Sequence, residues 1–224
     1  MKKEKPIVFL TMIMDHSGSM NKVKELALGN YNEQINSSKK KSNNVNTLTT
    51  LIEFDDEINI IYDNKNIEDV DILDDYWVGG MTSLHDAIAR GIKVTEINME
   101  KHKSTDKSAL VVIMTDGGEN SSVEYPREAR QQIKQMIDDL SNPVEGNIKW
   151  SFIFMGADIE VEHMAVHGFG IDVGNTLKFK KSLDSYQKAS NVTCDGLDAY
   201  YADRMRGLTS TKSFYSASDK TKEV

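Results

Sequence analysis

Ile7-Val8-Phe9-Leu10-Thr11-Met12-Ile13-Met14 runs directly into Asp15-His16-Ser17-Gly18-Ser19-Met20, and the reading of the chain turns on that junction. The apolar run is far shorter than the ~20 residues a membrane span needs, and its length suits a buried parallel strand. The polar hexapeptide after it sets a carboxylate and two hydroxyls at i, i+2 and i+4. Three oxygens at the end of a buried strand can converge on one hard cation.

Outward from there, similar apolar runs recur at Ala109–Thr115 and Trp150–Met155, and Ile171–Val173 supplies a last short strand. The spacing of apolar residues predicts helices over roughly Met20–Ser38, Leu84–Met99, Pro126–Leu140 and Glu160–His167. In the third, Ile133, Met136, Ile137 and Leu140 share one face. Thr47–Phe54 and Ile58–Asp63 flank Asp55-Asp56-Glu57 and read as a hairpin. Ser182–Met205 reads as a final helix with Leu183, Tyr186, Leu197 and Tyr201 as packing residues. This alternation predicts an α/β fold: a doubly wound, mostly parallel sheet with right-handed crossovers and one antiparallel edge hairpin. One domain is expected over residues 1–206. From Gly207 onward Ser, Thr and Lys dominate, so 207–224 is expected to be a flexible tail.

In such sheets ligands bind beyond the carboxyl ends of the strands. Asp15, Ser17 and Ser19 follow the first strand and Asp116 follows the fourth, so both groups land on one edge. Thr82 lies in Gly79-Gly80-Met81-Thr82-Ser83, just before the helix at Leu84, where the glycine pair gives the backbone freedom. Mg²⁺ takes six oxygens and keeps some as water, and these residues offer hydroxyls and two carboxylates. Each also has a plainer use: Ser19 can cap the first helix, and Thr82 or Ser83 the helix at Leu84.

Asp15-x-Ser17-Gly18-Ser19-Met20, Gly80-x-Thr82-x-Leu84-x-Asp86-Ala87 and Thr115-Asp116-Gly117, within a span from Pro6 to Val173, resemble the metal-ion-dependent adhesion site of von Willebrand factor A-type domains. Phe152-Ile153-Phe154-Met155-Gly156-Ala157 and Gly118-Glu119-Asn120-Ser121-Ser122 are similar to stand-alone bacterial and bacteriophage members. The resemblance implies a Rossmann-like sheet and a metal held by Asp15, Ser17, Ser19, Thr82 and Asp116. The ion would be Mg²⁺, or else Mn²⁺ or Ca²⁺. In that family the hydroxyls bind directly and at least one aspartate acts through water. The cation stays electrophilic, and one position favours an Asp or Glu of a protein partner. The resemblance implies a binding module and not an enzyme. Two other readings stand beside it: a metal-dependent phosphoester hydrolase using His16 or His85 as base, and a structural or assembly subunit of a phage or intracellular complex.

A net charge of −8 speaks against nucleic acid or an anionic membrane as partner, because no basic stripe is present to neutralise phosphates. Cys194 is the single cysteine, so no intrachain disulfide forms and a reducing, cytoplasmic setting is expected. Met1-Lys2-Lys3 before the first apolar run imitates a signal peptide, but the run meets Asp15 with no small-x-small cleavage site. The pairs Gly79-Gly80 and Gly117-Gly118 lack a Walker lysine or G-x-G-x-x-G spacing, which excludes the common nucleotide motifs. His16 reads as a variable motif position and His85 as pointing outward from its helix. His163 and His167 have a zinc-compatible i, i+4 spacing without a third ligand and read as surface. Asp86 suits the start of a helix, as a macrodipole partner or a brace for the site. Tyr76 and Trp77 fit either a binding rim or core packing.

Overall fold

Ile7–Asp15 (β1) is buried along its whole length because it lies inside a six-stranded sheet with a neighbour on either side. The computed structural model describes residues 4–142, 149–157, 160, 163–180, 182–209 and 213–215. The remaining strands are Asn46–Phe54 (β2), Ile58–Asn66 (β3), Lys107–Thr115 (β4), Lys149–Gly156 (β5) and Thr176–Lys178 (β6). Their spatial order is β3-β2-β1-β4-β5-β6. All neighbouring pairs run parallel except β2 and β3. This is the doubly wound α/β sheet with an antiparallel edge hairpin that the alternation of periods predicts. The helices are Lys24–Lys39 (α1), Leu84–Glu100 (α2), Arg130–Ser141 (α3) and Leu183–Met205 (α4).

Side chains of a strand alternate between the two faces of its sheet, and the core divides accordingly. Val8, Leu10, Met12 and Met14 face one cluster with Leu110, Val112 and Met114; it is completed by α1 and by Leu197, Tyr200 and Tyr201 of α4. Ile7, Phe9 and Ile13 face the other with Val111, Ile113, Phe152 and Phe154, beneath α2 and α3. On α3, Ile133 and Ile137 are buried while Met136 and Leu140 pack from the margin. Both faces of the inner strands are covered, so their sequences read as near-continuous apolar runs. No helix among the described residues is long and apolar enough to cross a membrane.

Three segments differ from the sequence reading. The last strand is Thr176–Lys178, not Ile171–Val173. The Asp172 carboxylate accepts the main-chain N–H of Gly174 at 2.7 Å, which turns the chain into a short 3-10 helix, Val173–Asn175. Within the expected helix Glu160–His167, residues 161 and 162 lie outside the described set; Met164–Gly168 forms a π-helical turn. The expected flexible tail does not hold at Phe214 and Tyr215. Tyr215 is buried in the α1–α4 cluster, its N–H donates to the Gly174 carbonyl at 2.9 Å, and the Phe214 N–H donates to the Asn175 side-chain oxygen at 2.9 Å. Composition marks the segment as polar, yet two adjacent aromatics supply enough apolar area to dock it.

Tyr215→Ala removes a buried aromatic and should cost about 3 kcal/mol, read as a lower urea midpoint at unchanged slope. An unchanged midpoint would mean that this docking contributes nothing to the fold.

Candidate metal centre

Because α1 carries the chain from β1 to one side of the sheet and α2 returns it to the other, the strand order reverses between β1 and β4. At such a point the connections diverge and leave a crevice at the carboxyl ends of the strands. Asp15 ends β1 and Asp116 follows β4, with Met14 and Met114 in register.

Asp15 is 0% exposed. One of its oxygens accepts the N–H of Ser17 at 2.7 Å, and the other accepts the Thr115 hydroxyl at 2.5 Å. Burial pushes its carboxyl above the usual carboxylate range; hydrogen bonds from Ser17 and Thr115 oppose this, and the nearby Asp116 charge adds to it. No cationic side chain among the described residues contributes to the balance. The hydroxyls of Ser17 and Ser19 lie 3.1 Å apart, and that of Ser19 donates to Asp116 Oδ1 at 2.6 Å. Ser17 and Asp116 are buried, whereas Ser19 is exposed, so the cluster opens to solvent on the Ser19 side.

Thr82 arrives from a third loop. A side-chain carbon built on Gly117 would stand 3.5 Å from Ser19 Oγ and 3.7 Å from Thr82 Oγ1, which puts both hydroxyls over the turn that follows Asp116. The structure therefore gathers Asp15, Ser17, Ser19, Thr82 and Asp116 at one edge. The loop that carries Thr82 is fastened at both sides: Gly18 N–H donates to the Gly80 carbonyl at 3.2 Å and Ser83 N–H to the Asp55 carbonyl at 2.7 Å. Gly80 has φ +67°, and any β-carbon there would lie 2.0 Å from Asp56 Oδ1. The positive φ favours glycine, and any side chain there would displace the Asp56 carboxylate.

The capping roles open to these hydroxyls in the sequence are not taken. Ser19 sits inside a 3-10 turn, Gly18–Lys22, and bonds to Asp116 instead. Ser83 stands at the N-cap of α2 without a side-chain cap. The first amides of α2 are satisfied from the loop after β4: His85 N–H donates to Glu119 Oε2 at 2.9 Å and Asp86 N–H to Ser122 Oγ at 3.1 Å. Asn120 clamps Thr82 in both directions, its side-chain oxygen accepting the Thr82 N–H at 2.8 Å and its own N–H donating to the Thr82 carbonyl at 3.0 Å. Asp86 returns the support, accepting the N–H groups of Val123, Glu124 and Tyr125. Sequence reasoning missed the supporting roles of Thr115, Glu119 and Asn120. For Glu119 and Asn120 the one signal is the oxygen-rich run Glu119-Asn120-Ser121-Ser122.

His85 does not point outward. It is 1% exposed, its Nδ1 lies 3.0 Å from the Tyr125 carbonyl, and its ring packs edge-on against Phe169. His16 is also buried, with Nε2 3.3 Å from Glu53 Oε2 and its ring on Tyr76. Tyr76 belongs to the core, whereas Trp77 is exposed. His163 and His167 are both exposed, with ring centroids 4.7 Å apart.

The fold is that of von Willebrand factor A-type domains. A von Willebrand factor type A protein from Catenulispora acidiphila superposes with a TM-score of 0.52 at 12% identity, over 90% of this chain and 43% of that one. The manganese-loaded TRAP protein of Plasmodium vivax gives 0.54 at 16% identity, over 83% of this chain and 71% of that one. Proximal thread matrix protein 1 from the mussel byssus gives 0.57 at 16% identity, covering 90% of this chain. This chain spans 49% of the byssus protein's length. No protein-family model matches the chain, and no curated protein matches it in sequence.

With the folded pKa of Asp15 above the unfolded one, the native state holds its proton more tightly, and stability falls as pH rises from the ordinary carboxylate range through the folded pKa. Asp15→Asn removes the buried charge. In EDTA at pH 7 it should melt a few degrees above wild type and lose part of that pH dependence. A lower melting temperature would show that the carboxylate's hydrogen bonds outweigh its desolvation.

Proposed function

We propose that the chain is a metal-dependent protein-binding module. Asp15, Ser17, Ser19, Thr82 and Asp116 hold a divalent cation, and an acidic side chain of a partner protein completes its coordination. The observation that carries this reading is the convergence of five oxygen-bearing side chains from three loops on one partly open spot. Neighbouring oxygens around octahedral Mg²⁺ stand about 2.9 Å apart, and the 3.1 Å between the Ser17 and Ser19 hydroxyls already matches that edge. The two nearby carboxylates are costly without a cation and would balance a 2+ charge.

Among the described residues no group of three or more His, Cys, Asp or Glu side chains gathers as a metal site. The donor set proposed is two carboxylates supplemented by hydroxyls. Hard, neutral and anionic oxygens suit Mg²⁺ or Mn²⁺ and match zinc poorly. When bound, the cation supplies a Lewis-acidic position that an external carboxylate can fill. The protein's own part is positioning. Ser17 N–H and Thr115 orient Asp15, Asn120 fixes Thr82, and Ser19 keeps its oxygen lone pairs for a cation while its proton is donated to Asp116. With the ion absent, Asp15 and Asp116 repel a partner's carboxylate, so capture depends on metal.

Binding is favoured over phosphoester hydrolysis because both imidazoles near the site are engaged elsewhere, His16 against Glu53 and His85 against the Tyr125 carbonyl. The proposed setting is the cytoplasm, resting on the single cysteine, whose thiol burial pushes up to about 11.

Mg²⁺ or Mn²⁺ at a hundredfold excess over its Kd should stabilise the protein by about 2.7 kcal/mol, seen as a rise in melting temperature that Asp15→Ala and Thr82→Ala both abolish. A pulldown from native lysate in Mg²⁺ should release its partner into EDTA, with Asp15→Ala retaining none. Equal recovery in Mg²⁺ and in EDTA refutes the metal bridge.

A further inference from the structure

Resting on the metal-bridge reading, we infer that Trp77 is a cation-binding platform beside the metal. The partner segment then carries an arginine or lysine within a few residues of its acidic side chain. Trp77 is 67% exposed, and its indole has a built seat. A β-carbon on Gly79 would lie 2.2 Å from Trp77 Cη2 and 2.5 Å from Cζ2, so the six-membered ring rests against the Gly79 backbone in the space a side chain would fill. Gly79 is fixed in turn, its N–H donating to the His16 carbonyl at 2.8 Å, and the Gly80 carbonyl accepts the Gly18 N–H. The platform is thus tied by main-chain hydrogen bonds to the turn that carries Ser17 and Ser19.

The charges around the ring select its occupant. Asp56 Oδ1 occupies the position of the missing Gly80 β-carbon and accepts the Met81 N–H at 3.2 Å. Asp55 and Glu57 share its hairpin turn. Lys24 contacts Asp75 at 2.6 Å, and the exposed Lys22 ends the Gly18–Lys22 turn on the other side of the metal loop. An indole face carries negative potential and attracts ammonium and guanidinium groups. A neighbouring carboxylate adds to that attraction, whereas an apolar group laid over the ring would strip water from Asp56 without replacing it. Gly79 and Gly80 bond to His16 and Gly18, so the ring and the metal site stand on adjoining turns. A cation on the ring and a carboxylate on the metal can therefore come from one short segment.

The test uses beads displaying heptapeptides with a fixed central Asp and random flanks, sorted on the full chain in Mg²⁺ and eluted with EDTA. Arg or Lys should be enriched within three positions of the Asp. The selected peptides should bind Trp77→Ala and Trp77→Leu roughly tenfold more weakly and Trp77→Phe within about threefold. All three variants should keep the wild-type melting temperature and its Mg²⁺ shift. EDTA-eluted peptides without basic enrichment, or equal binding to Trp77→Leu, overturn the platform and leave the metal bridge standing. If no peptide binds better in Mg²⁺ than in EDTA, the metal bridge fails and the platform with it.

Discussion

The buried carboxylate of Asp15 is the constraint on which the upper edge of the molecule depends. It ends the central strand with no exposure, at the point where strand order reverses. A charge in such a place must be solvated by the protein, and Ser17 N–H does this from the turn after β1 and Thr115 Oγ1 from the end of β4. Those bonds fix the turn after β1 and require β4 to lie in register beside it. They offset part of the burial cost, and desolvation and Asp116 leave the rest in place. In the proposed reading, a bound cation would offset that remaining cost.

Around that carboxylate, three loops satisfy one another's backbone. The loop before α2 receives hydrogen bonds from the turn after β1, from the β2–β3 hairpin and from the segment after β4. Asp86 and Glu119, each at the other's loop, exchange support: one holds the amides of residues 123–125, the other the first amides of α2. No single loop holds its shape independently. The spacing between hydroxyls is set by this lattice of main-chain bonds more than by the intrinsic turn preferences of the individual segments.

The strands and helices were legible because burial on both faces writes long apolar runs and helix packing writes a 3.6-residue period. The edge on which Asp15 and Asp116 meet followed from that alternation alone. Thr176-Leu177-Lys178 escaped notice because a three-residue edge strand has too little sequence to carry a period. His85 was misread as outward for a related reason. Its burial comes from the Tyr125 carbonyl and Phe169, contacts dozens of residues away that leave no local trace. The clamp by Asn120 and the cap by Glu119 belong to the same class. Phe214 and Tyr215 sit in a polar context that outvotes two aromatics in any averaged window, although one buried and one half-buried ring seat residues 213–215.

The remote capping of α2 bears on the order in which the chain can assemble. A helix whose first amides are satisfied by its own N-cap side chain can form early, on local contacts. Here the first turn of α2 waits for Glu119 and Ser122, which reach it only once β4 has paired with β1. Its initiation is therefore a long-range event with a large loop-closure cost. The amino end of α2 and the loop bearing Thr82 are thereby coupled to the segment after β4. Loss of those bonds would free the start of α2 while the strands beneath it remained paired.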